Sequence, residues 1–381
     1  MTTNRGMPIA QARADRGWTK TQTIRHIRRA AERHGYSLPK DESIGRRLAA
    51  WENGHADPDG MYLSLLCEIF QTGPDSLVST SPKASEAQPE AEDAELLLRL
   101  DTACGVDADL ISMLNTHTDL IRMKDRKLGA VVLAAEMAAH LGQVEELLRH
   151  SVFHAERTGL AFVLADASAL AGWQAVDTGS LNDAWQHFER AKAAAREAGD
   201  PKILAFASAE QAYALLDLQR PQQALTMIQQ AHRADHHRLP PLMRTWLYAA
   251  EAEALAACDD GSAALRTMDA AAASLPSDSD DDASMSYLAL NLVHLARWRG
   301  SILARLGDSD AVDDLNRALE GMAQGAFTRA EAGVRCDLAG ALLARGETGE
   351  AAQQIEHARR LVVISGSTRQ RRRVEQLTQR L

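Results

Sequence analysis

An alanine, an apolar residue four positions on and a small residue three beyond that recur every forty or so residues through the larger part of this chain. The copies are Ala184, Phe188, Ala191; Ala224, Ile228, Ala231; Ala264, Met268, Ala271; Ala311, Leu315, Ala318; and Ala351, Ile355, Ala358, with a degenerate copy at Val144, Leu148, Ser151. Their first positions lie 40, 40, 40, 47 and 40 residues apart. The spacing i, i+4, i+7 puts all three markers on one face of a helix. A turn signal stands before the copies, at Gly142, Gly179, Pro221, Gly261, Gly307 and Gly349. A second apolar helix lies between copies, such as Leu164 to Val176 or Ala205 to Leu218. A helix pair repeated at a fixed period builds a solenoid, because no single pair can bury its own apolar face. The extra seven residues of the one long interval fall in the acidic segment 274–284, which predicts an inserted surface loop.

Composition agrees with stacked helices. Apolar residues make up 45% of the 381, but aromatics only 4%, so alanine and leucine carry the apolar content and strands are disfavoured. A chain of this length exceeds one ordinary core and implies at least two folding units. No apolar run reaches the ~18 residues of a membrane span, and no apolar stretch follows Arg5 to make a secretory signal. No membrane association and a cytoplasmic location are the expectation. The cysteines, Cys67, Cys104, Cys258 and Cys336, form no Cys-x-x-Cys pair and read as buried reduced thiols.

Charge divides the chain unequally. The net charge is −10, yet residues 1–55 hold eleven Lys or Arg against five acids, a local +6 on an otherwise acidic body. A basic head suits phosphate binding while the body stays clear of it. Residues 79–94, rich in Ser, Pro and Glu and lacking large apolar side chains, read as a flexible linker. The expected division is therefore 1–78, a linker 79–94, and 95–381.

The head breaks into helices at Met7 to Arg16, Thr19 to His34, Glu42 to Glu52 and Met61 to Phe70, then a turn at Pro74 to Leu77. Thr19 offers an N-cap hydroxyl, and Asn53-Gly54 offers a left-handed stop after the third helix. Ile44, Leu48 and Trp51 share one face of that helix.

The runs Arg13-Ala14-Asp15-Arg16-Gly17-Trp18-Thr19-Lys20, Arg46-Arg47-Leu48-Ala49-Ala50-Trp51-Glu52-Asn53-Gly54 with Pro58, and Leu65-Leu66-Cys67-Glu68-Ile69-Phe70 resemble the XRE, or phage-repressor-like, helix-turn-helix family over residues 7–78. Two features depart from its pattern. The turn between the second and third helices is expanded to roughly Ala31 to Asp41, as in a subset from high-GC bacteria, and Lys20 stands where the family usually has Gln. The resemblance implies that the third helix enters the major groove, with Ser43, Gly45, Arg46 and Arg47 toward base edges, while Thr19, Lys20 and Gln22 hold phosphates and Asn53 and His55 reach the backbone. Arg25, Arg28 and Arg29 are either phosphate contacts or a solvated face, and Glu52 pairs with a nearby Arg. The partners implied are a double-stranded DNA operator and, from paired half-sites, a second copy of the chain as a homodimer.

The marker pattern of the body resembles the tetratricopeptide repeat, although its period exceeds that family's usual 34 or so. The fold class expected is all-α: a helix-turn-helix domain followed by a right-handed α-solenoid of about six hairpins, with residues 367–381 as a capping helix. In the register of that family, Asp166, Trp173, Asp177, Phe206, Tyr213, Asp217, Trp246 and Glu253 lie exposed on the concave face. Aromatics and acids together suit a peptide or small amphiphilic ligand.

No Gly-rich phosphate loop, metal-spaced His or Cys cluster, or Gly-x-Ser-x-Gly run is present, so neither an enzyme nor a cofactor is expected. Two functions remain. One is a ligand-responsive transcription regulator. The other is an interaction scaffold or adaptor that docks a partner protein through its repeats without reading DNA.

Overall fold

Helix ends in the basic head follow from its caps and its apolar spacing. In the computed structural model, which describes residues 8–53, 56–77, 87–234, 236–276, 285–288, 290–322 and 328–381, the head forms α1 (Pro8–Asp15), α2 (Lys20–Arg33), α3 (Asp41–Glu52) and α4 (Gly60–Phe70), followed by a short 3-10 turn at Pro74–Ser76. Thr19 caps α2 as its sequence position predicts: the hydroxyl accepts from Gln22 N, and the Gln22 side chain accepts from Thr19 N at 2.7 Å. Asp59 caps α4 in the same way through Tyr62 N. The spacing of Ile44, Leu48 and Trp51 places them in one core with Ile27, Tyr62, Leu65 and Leu66, all buried. Asn53 ends α3 with φ −97 rather than in the left-handed region expected of it, and Gly54 and His55 lie outside the described residues.

The chain divides into two compact units, Met1–Leu96 and Leu97–Leu381. The linker expected at 79–94 needs correction. Residues 87–94 belong to α5 (Ala87–Cys104), and 79–86 lie outside the described residues. Ala, Glu and Leu are strong helix formers, so a stretch with no face to bury still forms the first turns of the helix that runs on through Leu96 to Leu100.

Among the described residues the larger unit holds, after the end of α5, six helix pairs and a cap. The pairs are α6 (Ala108–Leu128) with α7 (Ala134–His150), α8 (His154–Thr178) with α9 (Leu181–Ala198), α10 (Pro201–Asp217) with α11 (Pro221–Ala234), α12 (Pro241–Ala257) with α13 (Gly261–Ser274), α14 (Leu292–Leu306) with α15 (Ala311–Gly321), and α16 (Thr328–Ala344) with α17 (Thr348–Ser365). The cap is α18 (Thr368–Thr378). Each pair packs internally and onto the next, and among the described residues no strand occurs, so the fold is all-α, a helix-turn-helix head and a helical-repeat body.

Every marker residue of the repeat is buried, from Val144 to Ala358. The small ones let helices touch: a Cβ added at Gly172 on α8 would sit 2.8 Å from the Phe188 ring on α9. Of the turn signals, Gly179 and Gly307 cap helices in the left-handed conformation and Pro221 opens α11. Gly142 is a correction, since it lies within α7, and Gly261 and Gly349 sit in the first turns of α13 and α17. The 25-residue α8 is apolar and long enough to cross a membrane by length and composition, but 83% of its apolar window is buried among its neighbours. It is the core helix of the array.

The acidic segment reads as inserted, and residues 277–284 lie outside the described residues. Directly after it Met285, Tyr287, Leu288 and Leu290 are buried, with the Tyr287 ring 4.8 Å from Phe206. This short non-repeating segment fills the interior of the array.

The two ends of the array also meet. Thr328 Oγ1 donates to Lys127 O at 3.0 Å, Arg329 on α16 bonds Asp125 on α6, and Ser367 before α18 bonds Asp177 on α8. Gly129, with φ +80, passes so close to α17 that an added Cβ would lie 1.8 Å from Ser365 O. Gly129→Ala should therefore lower unfolding free energy by roughly 2–5 kcal/mol, combining a Gly-only backbone conformation with a backbone clash. Gly346→Ala, also at positive φ (+77) but in open space, should cost only about 1 kcal/mol. Urea denaturation of both variants reads the contrast.

Candidate functional site

On the head, α3 separates inward from outward residues cleanly. Ile44, Leu48, Trp51 and Glu52 are buried, while Glu42, Arg46 and Arg47 are exposed and Ser43 and Gly45 partly so. Glu52 is the hinge of the local charge pattern: it accepts from Arg13, as its sequence context predicts, and from Lys20 at 3.3 Å. Arg13 also donates to Trp18 O at 2.9 Å, so one buried carboxylate ties α1, the entry to α2 and the end of α3 together. Arg28 is committed to the long α2–α3 turn, donating to Pro39 O at 2.8 Å and to Asp41 at 2.9 Å. Arg33 and His34 share Glu68.

Several cations of the head remain directed outward, four of them on α2 and α3. Among the described residues no acidic partner meets Arg25, Arg29 or Arg46, and Arg47 stacks its guanidinium 5.3 Å from the Tyr62 ring centre. Thr19, Lys20 and Gln22 are exposed at the start of α2, where the capping box takes up the N–H groups of Thr19 and Gln22. Asn53 is exposed at the end of α3. The surface thus carries a helix with outward guanidinium groups beside a helix N-terminus.

In the larger unit, the eight residues expected on an exposed concave face are drawn together but not exposed as predicted. Asp166, Asp177, Phe206, Tyr213 and Trp246 are buried, and only Trp173, Asp217 and Glu253 keep partial exposure. Closure of the array, and the Tyr287 segment inside it, take up the concave face. The polar members satisfy one another. Tyr213 and Trp298 donate to Glu253 at 3.0 and 2.9 Å, Arg369 donates to Asp217 at 3.0 Å, and Arg122 pairs with both Asp119 and Asp166. Arg329 bridges Asp125 at 2.7 Å and Asp177 at 3.5 Å, lying 5.7 Å from the Trp173 ring centre.

Two spaces remain in this interior. A cavity of about 150 Å³ is walled by Arg122, Asp166, Trp173, Phe206, Glu210 and Tyr287 with their neighbours. A wider one of about 580 Å³ has Asp217, Glu253, Arg369 and Arg373 on its walls. Burial raises the carboxyls of Asp166 and Asp177 above the usual range against the pull of Arg122 and Arg329. It pushes Glu210 up to about 8, the nearby Arg329 and Arg369 offsetting only part of the effect.

Reasoning from sequence missed Glu210, Arg122, Arg329 and Tyr287. Glu210 lies four positions after Phe206 and three before Tyr213 on the same helix, a spacing that could have included it. The others come from elements far away in sequence, and nothing local marks them. The cysteine expectation is corrected in part: all four are free, but only Cys336 is buried and Cys104 is exposed, because Cys104 ends α5. Among the described residues no His, Cys, Asp or Glu group could hold a metal ion.

No family model matches the sequence, and no curated protein matches it. Among solved structures, PlcR of Bacillus thuringiensis, solved in complex with the peptide PapR7 and DNA, aligns over 82% of this chain and 91% of its own at 13% identity, with a TM-score of 0.34. At that score the two chains do not superpose site for site, and no residue role passes from one to the other.

The raised Glu210 carboxyl sets a pH dependence. Its folded value lies above its unfolded one, so its contribution is fully present below about pH 4.5 and is lost as pH rises through about 8. Glu210→Gln should remove that loss. In urea titrations the variant should match the native protein near pH 5 and exceed it by a growing margin toward pH 8.5.

Proposed function

We propose that this protein is a sequence-specific DNA-binding transcriptional regulator of the XRE kind, working as a homodimer, whose repeat unit senses a peptide or small molecule. The observation that carries the DNA reading is α3. One face of it is locked into the core by Ile44, Leu48 and Trp51, and the other offers Arg46 and Arg47 to solvent. A rigid helix with unneutralised guanidinium groups meets the requirement for reading guanine edges in the major groove, where Arg bonds O6 and N7 together. Arg25 and Arg29 on α2 and the exposed N-terminal turn at Thr19, Lys20 and Gln22 add phosphate contacts that fix register. The long turn held by Arg28 and Asp41 sets the angle between α2 and α3, and so the docking angle on DNA.

Sensing is supported by the cavities in the interior of the repeat unit. Small-molecule sites are concave, mostly apolar and set with a few convergent polar groups. The cavity beside Glu210 is concave and sets the aromatic rings of Trp173, Phe206 and Tyr287 among the charged side chains of Arg122, Asp166 and Arg329.

The test is binding of the purified protein to DNA from its own upstream region and to random DNA at two salt concentrations. Selective binding that weakens steeply with salt is expected. Arg46→Ala and Arg47→Ala together should reduce affinity for the selected site by roughly 10-fold or more, at ~1–3 kcal/mol for each lost base contact, and bring it toward the affinity for random DNA. Weak binding equal on both DNAs and unchanged by the substitutions would replace the regulator with a scaffold that docks a partner protein.

A further inference from the structure

The cap helix α18 holds Arg369, Arg371, Arg372 and Arg373 within five positions, and Arg380 follows just after its end. One stripe of it lines the wider cavity of about 580 Å³: Arg369, Arg372, Arg373, Gln376 and Arg380, at the helical spacing i, i+3, i+4, i+7 and i+11. Arg371 and the acid of this helix, Glu375, do not line it. The facing walls are built from small residues, Ala256 and Ala257 of α12, Ser301 and Ala304 of α14 and Gly340 of α16, which leave the space open. Arg305, near the end of α14, adds a further guanidinium to these walls.

Five arginines thus stand on the walls against three carboxylates, Asp217, Glu253 and Asp337, and each carboxylate is already met. Asp217 accepts from Arg369 at 3.0 Å, and Asp337 pairs with Arg373. Glu253 accepts from Tyr213 and Trp298, and Arg297 of α14 also acts on it. Glu210 and Asp177 act on Arg369 from beyond the walls, so that guanidinium is committed. Arg305, Arg372 and Arg380 meet no acidic side chain among the described residues. The side-chain hydrogen bond of Arg305 runs from Nε to Ala256 O at 3.2 Å and neutralises nothing.

A cleft lined by an excess of one charge concentrates the opposite ion, because its low-dielectric walls focus the field. Guanidinium forks match the oxygens of phosphate and carboxylate groups two at a time. The uncommitted arginines come from two helices, and Arg380 lies about two turns along α18 from Arg372, so an anion with one charged group would leave some of them unmet. We infer that this cavity binds a small molecule bearing two or more negative charges, of the diphosphate or polycarboxylate kind, held between Arg372 of α18 and Arg305 of α14 with Arg380 as a third donor. The inference rests on the sensing role given above to the repeat unit and names its ligand class.

The experiment is calorimetric titration of the full chain, in physiological salt, with pyrophosphate, citrate and the cation spermidine. It is run on the native protein, on Arg372→Gln and Arg305→Gln, on Arg371→Gln, which removes the same charge from α18 outside the cavity, and on Arg46→Ala with Arg47→Ala in the basic head. Circular dichroism checks that each variant folds. Expected is saturable binding of pyrophosphate or citrate and none of spermidine. Affinity should fall by about tenfold or more in Arg372→Gln and in Arg305→Gln, each of which loses a charged hydrogen-bond donor. It should hold within about twofold in Arg371→Gln and in the head variant, where no ligand contact is lost. Tighter binding of pyrophosphate assigns a phosphate ligand, and tighter binding of citrate a carboxylate. An equal loss in Arg371→Gln, a loss in the head variant in place of the cavity variants, preferred binding of spermidine, or no binding of either anion would overturn the inference. DNA affinity with and without the bound anion decides the sensing role separately. A change that disappears in Arg372→Gln carries it, whereas cavity binding with no change in DNA affinity leaves the site standing and removes the sensing.

Discussion

Arg329 is the contact on which the architecture of the larger unit turns. It comes from the last helix pair and neutralises Asp125 and Asp177 from the first two. A helical array ordinarily touches only its nearest neighbours. Here a guanidinium reaches across the interior, and the two carboxylates it meets are buried with almost no access to water. Such a pair is weak evidence of net stability, but removing one partner strands a buried charge. Closure is thus enforced less by attraction than by the penalty for leaving Asp125 and Asp177 unpaired. Gly129 and Ser367 complete the seam, one by having no side chain and the other by donating a hydroxyl hydrogen to Asp177 at 2.5 Å.

Closure also explains the chemistry of the interior. Once the ends meet, water has less access, and the more deeply buried polar groups find a partner in the protein or favour their neutral form. Tyr213, Trp298, Asp217, Asp166 and Arg122 find one. Glu210 tends to the second course, burial pushing its carboxyl up to about 8.

What could be read from the sequence was whatever repeats or is local. The markers at Ala184, Phe188 and Ala191 and their copies located the second helix of nearly every pair, because helix contacts demand small residues at fixed intervals. Thr19 and the pattern Ile44, Leu48, Trp51 located the helices of the head for the same reason. The eight interior residues chosen from that register do converge in space. Their exposure was misjudged, because nothing within a forty-residue period says whether an array stays open or returns on itself. That information lies in single residues such as Arg329 and Gly129, and in the unrepeated segment around Tyr287. The helix at 87–94 escaped because a polar composition speaks to burial, not to backbone conformation.

A seam between the first and last pairs has a consequence for how such a chain can change over generations. An open stack can lengthen or shorten by whole hairpins, since each new unit needs only a neighbour on one side. In a closed one, an added hairpin would carry Arg329 past Asp125 and leave Gly129 opposite the wrong carbonyl. The number of repeats is then as fixed as the number of strands in a barrel, and variation is confined to the side chains within and the loops between, as the acidic segment after α13 already illustrates.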